Sequence, residues 1–150
     1  MTGVQTCALP ISVTNAPARL LAEFVGTFAL IFIGAGAIMT TAGWTNGGTL
    51  IGIAAAHGFV IAVMVSGLGH ISGGHFNPAV TIGMWVTRRI DSMLAVGYIV
   101  AQLVGASLGA ALLMVLFPEG FRSAATLGTP ALGPGVDFAR GVVKIGRAHV

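Results

Sequence analysis

The residues best placed to do chemistry lie in one polar, glycine-rich stretch, Gly69-His70-Ile71-Ser72-Gly73-Gly74-His75-Phe76-Asn77-Pro78-Ala79-Val80-Thr81, set between apolar runs. Asn77 stands where a helix N-cap belongs. Pro78 follows at the first helical position, where its missing N–H costs nothing, so a helix is expected to continue over residues 79–86. Such a helix is too short to cross a bilayer. Starting inside an apolar protein, it would present the positive end of its dipole at membrane depth, with the Asn77 amide beside it to donate to a small polar solute. Consecutive glycines ahead of it leave backbone carbonyls free to act as acceptors. Non-helical backbone is tolerated at that depth only when buried in protein or lining a water-filled path. The chemistry expected is therefore passage of a polar solute.

Two other polar groups interrupt apolar sequence. His57, in Ala56-His57-Gly58, sits mid-run, where an ionisable group is costly and a functional role is the default; a buried histidine bonded to a neighbouring helix is the structural alternative. Glu23 lies one turn into an apolar helix, fitting either a proton relay or a carboxylate that braces backbone N–H groups of a loop, and bracing is expected. Thr27, Thr81 and Ser107 read as packing hydroxyls. His57, His70 and His75 do not suggest a metal site, because His57 and His70 would stand about 20 Å apart along a helix. No cofactor and no enzymatic activity are expected: no nucleophile has a nearby base, no carboxylates pair, and Gly73-Gly74 lacks the strand context of a nucleotide site.

The elements that must position these groups are apolar helices. Of the 150 residues, 55% are hydrophobic and only 7% charged, a composition that excludes a soluble domain and implies a bilayer partner. The formal charge of +3 comes from scattered residues, so no nucleic-acid surface is implied. Spans are expected over residues 20–39, 50–68 and, capped by Asp91 or Ser92, up to residue 117. Residues 40–49 and 121–137 read as loops. Gly105 and Gly109 form a GxxxG pattern, and Gly26, Gly34 and Gly36 thin one side of the first span for close helix contact. Arg19, Arg88 and Arg89 outnumber Arg122 and Arg140 on the other side, placing the N-terminus and the half-helix loop in the cytoplasm, with Trp44 as an outer interfacial anchor.

The two ends read differently. Ile145-Gly146-Arg147-Ala148-His149-Val150 can be encoded as ATC GGA AGA GCA CAC GTC, whose reverse complement, read one base in, encodes Thr6-Cys7-Ala8-Leu9-Pro10 and the start of Ile11. The string matches a common short-read sequencing adapter. Residues 1–11 and 144–150 are therefore expected to be non-native ends around an internal fragment, 12–143. Cys7 then says nothing about redox compartment, and His149 is no ligand.

Ser72-Gly73-Gly74-His75-Phe76-Asn77-Pro78-Ala79-Val80-Thr81 resembles the first Asn-Pro-Ala loop of the aquaporins, or major intrinsic proteins. Ala22-Glu23-Phe24-Val25-Gly26-Thr27-Phe28, Ala101-Gln102-Leu103-Val104-Gly105-Ala106 and Leu127-Gly128-Thr129-Pro130 agree in order, so the resemblance covers roughly residues 17–141. It implies an all-α membrane protein, half of an aquaporin-like bundle with three transmembrane helices and one re-entrant half-helix. It also implies a passive channel for water and possible small uncharged solutes, a homotetramer when full length, in a bacterial inner membrane. Asn77, Pro78 and Ala79 would form the pore motif, with Gly73, Gly74 and His75 supplying pore carbonyls. Glu23 and Gln102 would brace the loop. His57 matches the second-helix position of the outer filter. Being smaller than the phenylalanine frequent there, it leaves a glycerol or ammonia facilitator as the alternative. Ile61, Phe76 and Val80 would give an apolar pore wall. A non-conducting structural protein on a channel scaffold is the rival from another class. The family's second Asn-Pro-Ala loop and filter arginine do not occur in these residues.

Overall fold

The computed structural model describes residues 15–43, 50–129 and 137, and among these all regular structure is helical. Three helices are long and apolar enough to cross a membrane: α1 (Ala16–Gly43), α2 (Leu50–Ser72) and α4 (Ser92–Leu116). Between the last two lies α3 (Pro78–Val86), only nine residues, or about 14 Å. Because α3 cannot span, it and the loop before it must return to the side from which they entered, leaving α4 to cross again.

The helix ends follow local chemistry. Asn77 caps α3, its Oδ1 accepting from Ala79 N at 2.8 Å, with Pro78 at the first position as expected. Asp91 caps α4 in the same way, taking the N–H groups of Met93 at 2.9 Å and Leu94 at 3.4 Å. The boundaries differ from the sequence reading in three places. Helix α1 runs over Ala16–Gly43 rather than 20–39, so residues 40–43 are helical and not loop, with Thr40 Oγ1 donating back to the Gly36 carbonyl. Helix α2 continues past residue 68 to Ser72, because nothing in Gly69-His70-Ile71 prevents helical φ, and the first left-handed residue is Gly73. The loop after α4 contains a short helix, α5 (Glu119–Ala124), started by Pro118 and held by an ion pair between Glu119 and Arg122 one turn apart. It leads into a 3-10 turn at Thr126–Gly128. Trp44, Arg140 and both ends expected to be non-native lie outside the described residues.

Helix α1 is the centre of the bundle. It packs along both α2 and α4, α3 rests on α4, and α5 with the 3-10 turn folds back on α1. The α1–α4 contact depends on the GxxxG pair. A Cβ at Gly105 would stand 2.5 Å from the Phe24 carbonyl oxygen, and one at Gly109 would stand 3.0 Å from that of Phe28. Two apolar clusters lie along this seam. Ile90, Leu94, Ala95 and Tyr98 fill one end with Leu20 and Met84, while Met39, Leu113 and Ala125 fill the other with Phe32 and Phe117. Between them α1 and α4 present Glu23, Thr27 and Gln102, all buried. A polar layer between apolar ends fixes register, because its groups are satisfied in one alignment only.

Candidate functional site

The polar layer exists to hold the loop between α2 and α3. Beyond Ser72 the chain turns through Gly73 and Gly74, with φ of 95° and 67°, a left-handed region that glycine enters without a Cβ penalty. Phe76 also has a positive φ, 47°, which costs a non-glycine residue about 1 kcal/mol. Two contacts over-determine it. Its N–H donates to Glu23 Oε2 at 2.6 Å, and its ring occupies the space over Gly26, where a Cβ would meet Phe76 Cδ1 at 2.2 Å.

Glu23 anchors the loop. It is fully buried; Oε1 accepts from Ser72 Oγ at 2.6 Å and His75 N at 3.0 Å, while Oε2 accepts from Phe76 N and from Gln102 Nε2 at 2.8 Å. A carboxylate is acceptor only, and these donors come from α2, the loop and α4, so one side chain of α1 ties three segments together. Hydrogen bonds to a charged acceptor contribute about 1.5–3 kcal/mol each, which offsets the desolvation of the carboxylate. Gln102 Nε2 also donates to Thr81 Oγ1 at 2.9 Å, and His75 Nδ1 lies 3.1 Å from the same hydroxyl. Thr81 is thus a junction of the network rather than a packing hydroxyl.

Asn77 and the glycines face the other way. Asn77 is exposed, with an extended backbone. Its Oδ1 is engaged by Ala79 N, so the outward end of its amide is the NH2, a donor at the N-terminus of α3. The Ser72 carbonyl accepts from Tyr98 OH at 2.7 Å. Among the described residues no backbone N–H closes onto the carbonyls of Gly73, Gly74 or His75. Donor and acceptors of the backbone type suited to a small polar solute therefore share one braced loop.

His57 is not part of this cluster. It stands roughly 20 Å along α2 from Ser72, its Nδ1 2.9 Å from the Ile53 carbonyl and its ring against Gly34 of α1. Ile61 and Val80 are 45% and 47% exposed, available to line a path. Phe76, expected beside them, is 4% exposed. Its ring fills the Gly26 notch.

Ser72 and Tyr98 were not singled out by sequence, yet both touch the network. Tyr98, the one tyrosine of the chain, stands four residues before Gln102 and so on the same helix face, a signal that would have found it. Ser72 gave no such signal beyond its place before two glycines.

A model of the family described as major intrinsic protein matches residues 11–144. Aquaporin AqpM of Methanothermobacter marburgensis is 39% identical over 137 residues, covering 80% of this chain and 56% of that protein. The glycerol uptake facilitator protein-like 6 of Lactiplantibacillus plantarum is 41% identical over 123 residues, covering 80% and 55%. The X-ray structure of the aquaglyceroporin from Plasmodium falciparum superposes with a TM-score of 0.65 at 28% identity, covering 75% of this chain and 46% of that one. The chain spans about half the length of the relatives it matches. With a family match running through α1 to α5 and the loop between α2 and α3, the chain belongs to the major intrinsic protein family.

Proposed function

We propose that the full-length protein is a passive membrane channel for water and small uncharged solutes, and that this chain supplies the half of its path built around Asn77. The observation that carries the reading is the division of labour in the loop. Glu23 saturates the inward-facing N–H groups, leaving the Asn77 amide and the carbonyls of Gly73, Gly74 and His75 for a solute. Water entering such a path exchanges its hydration shell for these groups at little net change, and the dipole of α3 opposes a cation beside Asn77. Ile61 and Val80 complete an apolar wall that does not hold water tightly. His57 serves as a filter residue, polar and smaller than a phenylalanine, which leaves room for glycerol or ammonia; relatives named as aquaporin and as glycerol uptake facilitator support both solutes.

The same reading places the α1 N-terminus and the Arg88-Arg89 turn in the cytoplasm by the excess of basic residues on that side, and assembles the full-length protein as a homotetramer. The test is stopped-flow light scattering of proteoliposomes carrying the protein expressed from its full-length gene, challenged with sucrose and then with glycerol. Faster shrinkage than empty vesicles under sucrose is expected, with re-swelling under glycerol if His57 leaves the filter wide. Vesicles no more permeable than empty ones would refute the reading.

A further inference from the structure

We infer that Gly34 of α1 is a positioning residue that sets how far His57 reaches into the conduction path, and so sets the size of uncharged solute admitted; this rests on the channel reading. The contact is specific. A Cβ built at Gly34 would lie 2.5 Å from His57 Nε2, 2.8 Å from Cδ2 and 3.0 Å from Cε1. The imidazole therefore lies in the notch left by the missing side chain, and Gly34 itself is buried.

The other side of the ring is held too. Nδ1 lies 2.9 Å from the Ile53 carbonyl, which can only accept, so Nδ1 donates there and Nε2 is the atom facing Gly34. Helix α2 thus fixes the ring from its own previous turn, and α1 receives its edge. A methyl at position 34 forces the ring about 1 Å away from α1 to restore ordinary contact. Ile61, one turn on along the same face of α2, is 45% exposed, so a ring displaced from α1 shifts along the face that the proposed path uses. Gly36, two residues on, serves no such purpose, since its nearest neighbour is Leu113 Cδ2 at 3.4 Å.

The experiment compares glycerol and water permeability of the full-length channel in proteoliposomes for wild type, Gly34→Ala, His57→Ala and Gly34→Ala/His57→Ala. Gly34→Ala should lower the glycerol-to-water ratio about tenfold, the usual weight of one methyl in a tight site. His57→Ala should raise the ratio, and the double variant should match His57→Ala, because the three atoms nearest the added methyl all belong to the ring that is then missing. If Gly34→Ala fails to insert or fold, recovery in the double variant supports the inference. Continued failure overturns it, since the clash would then lie elsewhere. An unchanged ratio in folded Gly34→Ala, or a fall that persists in the double variant, also overturns it. Failure of the underlying reading looks different: wild-type vesicles then conduct no better than empty ones, or His57→Ala leaves the ratio unmoved.

Discussion

Glu23 shows why a single charge can be retained in a membrane helix. Its oxygens receive Ser72 Oγ, His75 N, Phe76 N and Gln102 Nε2, so removing the charge unseats a loop rather than one contact. Glu23→Gln turns an NH2 toward two of those donors and is expected to destabilise the protein by about 3 kcal/mol or more, the effect of breaking a buried charged network. Thermal unfolding in detergent, followed by circular dichroism, checks this; a melting temperature equal to wild type would contradict it. At this scale the sequence was partly legible. An acid in an apolar helix announces a partner, and a cap followed by proline announces a helix start. The side-chain direction of Phe76 was not legible, because it depends on a notch at Gly26, fifty residues earlier in sequence, which no local pattern reveals.

Between elements, the decisive contact is backbone on backbone. Gly105 and Gly109 bring α4 within van der Waals reach of the Phe24 and Phe28 carbonyls, and that approach places Gln102 on the Glu23 carboxylate. Gly105→Ala is expected to cost about 1–3 kcal/mol by forcing the helices apart. Gly120→Ala in α5, where a Cβ meets nothing within 4 Å, should be close to neutral. Unfolding midpoints of the two variants in the same detergent check the contrast, and equal midpoints would argue against the packing account. Existence of the three long helices and the half-helix followed from hydropathy and capping signals. Their ends were less legible. Residues 69–72 are helical because helix continues until a left-handed residue stops it, and α5 forms in a stretch whose glycine and alanine content hid the Glu119 and Arg122 pair.

As a whole, the molecule is an α1-centred bundle whose polar layer lies between two apolar clusters and holds a re-entrant loop. Helix α2 keeps much of its surface uncovered, including Phe59, Val63 and Ile61, and the chain spans about half the length of its relatives. The path we propose belongs to the full-length protein, and composition and periodicity of these residues indicate a pore without fixing its solute. In that proposal these residues contribute the Asn77 amide, and the permeability of the full-length protein tests it most directly. Asn77→Ser keeps an oxygen to cap Ala79 N but removes the NH2 offered to the solute. Osmotic water permeability of proteoliposomes with equal amounts of wild-type and Asn77→Ser protein is the measurement to make. The account predicts a several-fold fall in permeability with an unchanged melting temperature; equal permeability in the two would contradict it.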